Sequence, residues 1–115
     1  MKLPNATSAT VPRAKVERYL LSPTHSTGRH KAAFFARFGF ELVAGQVLRD
    51  ALLRHGQAHD VETVAQTSLG LQYTVVGPIE TPDGRNPVVR TVWFIDEGED
   101  TPRFVTAYPM GRRQR

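Results

Sequence analysis

The spacing of apolar side chains changes once along this 115-residue chain, between His55 and Val61, and that change constrains the fold more than any other feature. Before it, apolar residues recur every three or four positions, as on an amphipathic helix. After it they alternate, as on a half-buried strand. Helices followed by strands read as α+β and exclude an alternating βαβ chain. The expected architecture is two or three N-terminal helices packed on one face of a four-stranded antiparallel β-sheet.

Local signals place the elements. Asn5 to Val11 is polar and β-leaning, a coil or a short edge strand. Pro12 suits the first position of a helix, where its missing N–H has no partner to lose. Ala14, Val16, Tyr19, Leu20 and Leu21 then predict a helix over 12–21, stopped by Ser22-Pro23-Thr24. A second helix is predicted over 27–38, capped by Ser26 or Thr27, with Gly39 as a left-handed C-cap and Phe40 folding back. A third fits 44–55, with Val47, Leu48, Ala51 and Leu52 on one face. The predicted strands are Val61–Thr67, Gln72–Gly77, Val88–Ile95 and Arg103–Pro109. Thr81-Pro82-Asp83-Gly84 is a turn, and Asp96 to Pro102 an acidic loop. Residues 1–111 read as a single domain, and 112–115 as a basic tail without fixed structure.

Composition removes several function classes. The length leaves room for one modest core, which argues against a two-lobed kinase or dehydrogenase. Cysteine is absent, excluding disulfides, thiolate catalysis and Cys-based zinc sites. No apolar run approaches the roughly 18 residues of a membrane span, and no signal-peptide core is present. No membrane partner is expected. The net charge of +4 is uneven, because Arg112, Arg113 and Arg115 lie in the last four positions. A basic cluster also surrounds Arg29, His30, Lys31 and Arg37.

Two constellations hold chemistry. The stretch Thr24-His25-Ser26-Thr27-Gly28-Arg29-His30-Lys31 gathers two imidazoles, a guanidinium and an ammonium at a helix start. The macrodipole disfavours cations there, and the free N–H groups favour an anion such as phosphate or carboxylate. Imidazole also titrates nearest neutrality. The second constellation is on the last two strands. Alternation puts Phe104, Thr106 and Tyr108 on one face, with either Arg90 or Thr91 beside them. Arginine would neutralise a phosphorane, and hydroxyls would position its oxygens. By contrast, His55-x3-His59 reads as two exposed residues at a helix end. Gly56 interrupts the pair and no Glu follows His55, so no metal site and no cofactor are expected.

Several segments carry a resemblance. They are Leu3-Pro4-Asn5, Tyr19-Leu20-Leu21, Gly28 to Ala32 with Phe34-Phe35, Gly39-Phe40, Thr91-Val92-Trp93 and Val105 to Pro109. Together they resemble an uncharacterised bacterial domain that occurs as small free-standing proteins and at the ends of large secreted polymorphic toxins. Met1 stands almost at the first residue of the resemblance, so no delivery segment is expected. More loosely, helices followed by four strands ending in Thr-Ala-Tyr-Pro are similar to the barnase–EndoU–colicin–RelE toxin ribonucleases. This resemblance implies metal-independent RNA cleavage, with matching positions His30, Lys31, Thr91, Thr106 and Tyr108. The chain departs from the better-known nucleases in lacking an evident Glu base on the last strands.

The expected function is a toxin-like, metal-independent endoribonuclease. Its catalytic groups would be His30, Lys31, Arg90, Thr106 and Tyr108, with His25, Arg29 and Thr91 binding substrate. It would act in the cytoplasm of the producing cell, and its partners would be RNA and a cognate antitoxin or immunity protein. The alternative is a non-catalytic interaction module, the inhibitory half of such a pair, whose basic face docks on an acidic partner.

Overall fold

A computed structural model of the chain describes residues 1–26 and 28–110. The expected tail at 112–115 lies outside the described residues. Helix α1 (Arg13–Lys15) runs directly into a π-helical turn, Val16–Leu20. Helix α2 is Arg29–Arg37 and α3 is Gly45–Ala58, with short 3₁₀ turns at Ala6–Ser8 and Leu42–Ala44. Strands β1 (Val61–Thr67), β2 (Gly70–Pro78), β3 (Val88–Asp96) and β4 (Arg103–Pro109) follow. They form one antiparallel sheet in the order β1-β2-β3-β4, so the α+β expectation holds.

Helix α2 begins at Arg29 rather than 27, and Gly28 precedes it without a side-chain cap; Thr27 lies outside the described residues. Its C-terminus ends as expected. Gly39 adopts φ 102°, its N–H donates to the Ala36 carbonyl, and the Phe40 N–H donates to Phe35 at 3.2 Å. These are the paired bonds of a Schellman motif. Phe40 is buried, its ring 5.8 Å from that of Phe35.

The core lies between the helices and one face of the sheet. Val16, Leu20, Phe35, Leu48 and Leu52 meet Val75, Val89, Trp93 and Phe104, all essentially excluded from water. The Trp93 and Phe104 rings pack edge to face at 5.5 Å. Gly56 of α3 presses on this layer, because a Cβ built there would sit 2.7 Å from Trp93 Cζ2. Beside it, His55 is only 2% exposed, which corrects the reading of an exposed helix-end histidine. It bonds Thr91 Oγ1 through Nδ1 at 3.0 Å and the Gly77 carbonyl through Nε2 at 2.9 Å.

Strand β4 departs from simple alternation. Phe104 pairs with Trp93 and Ala107 with Thr91, whereas Thr106 pairs with Val92 and Tyr108 with Arg90. An irregularity between Val92 and Trp93 takes up one extra residue of β4. Directly opposed residues share a face. Phe104 therefore joins the core face, while Thr106 and Tyr108 share the other face with Arg90. Sequence alternation missed this bulge and put all three β4 side chains together.

Candidate functional site

The site begins with the π-helical turn. The Leu21 N–H donates to the Val16 carbonyl at 2.8 Å, a five-residue step that widens the helix. Val16 and Leu20 enter the core, and Tyr19 is left half-buried toward β4. Helix α2 then starts hard against this turn. A Cβ on Gly28 would lie 2.4 Å from the Tyr19 carbonyl oxygen, so only glycine permits the approach.

That approach delivers Lys31, in the first turn of α2, to β4. Its ammonium donates to Tyr19 Oη at 2.7 Å and to Thr106 Oγ1 at 2.8 Å. The two hydroxyl oxygens are themselves 3.2 Å apart. The ammonium also lies 4.3 Å from the centre of the Tyr108 ring and 5.0 Å from that of Tyr19. Ring faces attract a partly desolvated cation. Burial alone would raise the Tyr19 phenol above its ordinary value of 10.0. The hydrogen bonds from Lys31 and Thr106, and the charges of Lys31 and Lys15, outweigh burial and leave it lowered.

A cleft of about 610 Å³ opens beside this triad, lined by Lys15, Arg18, Tyr19, His25, Thr106 and Tyr108 among others. The His25 ring meets the Tyr19 ring edge-on at 5.1 Å. Its Nδ1 accepts the Gly28 N–H at 3.0 Å, so the neutral ring carries its proton on Nε2. No carboxylate is among the described lining residues. Lys15, Arg18 and Lys31 form no ion pair among the described residues. The result is a cationic, hydroxyl-lined pocket with no negative group of its own. Such a site is pre-arranged for an anion.

The structure thus brings Lys31, Thr106, Tyr108 and His25 together. It sends the other expected residues elsewhere. Arg29 and His30 are exposed on another flank of α2, where they border an apolar groove with Leu21, Pro23 and Phe40. Arg90 lies opposite Tyr108 in the ladder, but its guanidinium turns across β2 to Glu62 of β1 at 3.0 Å. Thr91 is fully buried under α3, bonded to His55 and accepting the Trp93 indole N–H at 2.8 Å. Sequence reasoning missed Tyr19, which counted only as an apolar position of the first helix, together with Lys15 and Arg18. Their signal was a phenol preceded by cations one and four residues before it. Among the described residues no His, Asp or Glu cluster is placed to hold a metal ion, and no helix is long and apolar enough to cross a membrane.

Residues 2–111 match the family model described as Domain of unknown function (DUF6883). The chain belongs to the DUF6883 family. No curated protein matches it. This DUF6883 chain is similar in fold to a chain of a contact-dependent growth inhibition toxin–immunity protein complex from Klebsiella pneumoniae 342. The TM-score is 0.68 at 17% identity, covering 87% of this chain and 98% of that one. At that identity the likeness concerns the fold.

Proposed function

We propose that this DUF6883 chain is a toxin that cleaves RNA without a metal, acts in the cytoplasm, and is silenced by a cognate antitoxin or immunity protein. The observation that carries the reading is the Lys31 ammonium, held by the Tyr19 and Thr106 hydroxyls at the wall of a cleft with no carboxylate among its described lining residues. RNA supplies its own nucleophile, the 2′-hydroxyl. Cleavage then needs a place for phosphorane charge and groups to exchange two protons. Lys31, Lys15 and Arg18 supply positive charge where that negative charge develops. Thr106 and the Tyr108 ring fix the ammonium, and so the phosphate. Tyr19 and His25, in contact at one wall, are the groups that exchange protons with the attacking 2′-oxygen and the departing 5′-oxygen. Arg29, His30, Arg90 and Thr91 have no direct part. The fold likeness to a member of a toxin–immunity complex supports a partner protein of that kind.

The test is purified protein on RNA in the presence of a chelator. The expected products end in 2′,3′-cyclic phosphate, and Lys31→Met and Thr106→Val each slow cleavage by about 100-fold or more while the fold persists. Intact RNA with folded wild-type protein overturns the proposal, as does full activity in Lys31→Met. A docking-only role has one observation in its favour. Leu42, which lines the groove beside α2, is 47% exposed, and Val43 and Val47, nearby in sequence, are 94% and 44% exposed. Uncleaved RNA together with tight binding of a partner protein would select it.

A further inference from the structure

The N-terminal segment closes the sheet's edges, but not completely. At β4 the Phe104 N–H donates to the Thr10 carbonyl at 2.8 Å, and the Thr10 N–H donates to Pro102 at 3.0 Å. At β1 the Val61 N–H donates to Met1 at 2.7 Å, and Lys2 bridges Asp60. Beyond that bridge, β1 has β2 on one side and no further pairing among the described residues. Val61 is half-buried and the other six residues of the strand are exposed. Every second residue of such an edge turns its N–H and C=O outward.

Folded proteins blunt open edges with Lys, Pro, inward charge or a bulge, because a bare edge templates another strand. Thr63-Val64-Ala65-Gln66-Thr67 has none of these. The one irregularity of β1 falls between Val61 and Thr63, ahead of the open stretch, and its pairing with β2 is regular from Thr63 to Thr67. Val64 is 47% exposed, and Leu69 at the tip of the β1–β2 hairpin is 72% exposed. We propose that this edge pairs with the same edge of a second copy, antiparallel, about a two-fold axis at Ala65.

Ala65 is the midpoint of the open segment, since Met1 and Lys2 occupy the edge before it. In that register Thr63 faces Thr67, Val64 faces Gln66 and Ala65 faces itself. Threonine pairs across strands are favourable, and no like charges meet. The nearest charge, Glu62, falls opposite Ser68. The same patch serves both copies, as a closed two-fold pair requires. A five-residue contact is smaller than the ~1,200 Å² of a standard interface, so the association is a weak one. The uncharged, self-complementary stretch favours a second copy over a charged foreign strand.

The experiment uses the full chain and needs no enzymatic readout, so it stands apart from the RNA reading. Sedimentation equilibrium should show the mass rising toward twice the monomer between about 10 μM and about 0.5 mM. Amide exchange of 63–67 should slow over the same range. Ala65→Lys and Ala65→Glu each place like charges opposite one another and should abolish both effects. An equimolar mixture of the two should restore association. Both substitutions fall on an exposed strand, and circular dichroism checks that the fold persists. A wild-type monomer at the highest concentration overturns the proposal. So does undiminished association of Ala65→Lys. Failure of the mixture to associate overturns the register.

Discussion

Acidification should weaken this fold through His55. The side chain is 2% exposed, between α3 and the sheet. Its hydrogen bonds form a complete chain for a neutral ring. The Trp93 indole donates to Thr91 Oγ1, the Thr91 hydroxyl donates to His55 Nδ1, and His55 Nε2–H donates to the Gly77 carbonyl. Protonating Nδ1 would set a donor against the Thr91 hydroxyl proton. Burial is the largest cause that lowers the imidazole from 6.5 to about 4; the Gly77 bond opposes this, and nearby His59, its ring at 4.9 Å, adds to it. The unfolded chain therefore binds the proton first. Stability is full above the unfolded value of 6.5 and falls as pH drops toward about 4. The lowering of about 2.5 units corresponds to roughly 3 kcal/mol in total, of which about 2 kcal/mol is lost by about pH 5. That is a large share of the usual ~5–15 kcal/mol of a folded domain. Urea unfolding at about pH 7 and about pH 5 should show the midpoint falling by roughly 1 M. His55→Gln keeps polar atoms but cannot titrate. It should start less stable by about 1–2 kcal/mol and lose most of the pH dependence. Parallel losses in wild type and His55→Gln over this range would refute a buried neutral imidazole as the cause.

Two further outcomes follow from single contacts. Gly56→Ala gains up to ~1 kcal/mol of helix propensity but forces a methyl against the Trp93 ring, an overpacking cost of ~1–3 kcal/mol. A lower melting temperature and altered Trp93 fluorescence should result; a stabilised variant would refute the close approach. The Arg103 guanidinium bonds both oxygens of Asp96, at 2.8 and 3.0 Å, and holds its carboxyl below the ordinary 3.8. This pair's small contribution is present above 3.8 and is lost as pH falls through the lowered value. In a carboxyl NMR titration, Arg103→Gln should return the Asp96 midpoint upward, and an unmoved midpoint would discount the pair.

The fold was legible because its decisive signals are local. The change of apolar period, the Gly39–Phe40 helix end and the β-branched run at Val88 to Ile95 each dictate backbone geometry within a few residues. Two things were not local. The extra residue in β4 is accommodated by pairing with β3, and pairing register leaves no trace in one strand's own alternation. His55 reads as a polar residue near a helix end, yet α3 continues to Ala58 and lays that position on the sheet. Nothing in the helix sequence announces the Thr91 hydroxyl and Gly77 carbonyl that satisfy it, because both come from strands at least 22 residues away.

The candidate site was half legible for a geometric reason. The mismatch between cations and a helix start drew attention to this end of α2, but it could not say which cation meets β4. Consecutive residues on a helix point about 100° apart, so Arg29, His30 and Lys31 cannot converge on one neighbour. Lys31 alone faces β4; the other two border a different groove. The imidazole in the cleft is instead His25, which precedes the helix and is free of that angular constraint. Tyr19 was hidden because its spacing with Val16 and Leu20 fits an ordinary apolar stripe. Its ring packs against the rim of the core, and its phenol oxygen reaches Lys31. A π-helical step, which no residue spacing encodes on its own, is what joins the early cations to the hydroxyls of the last strand.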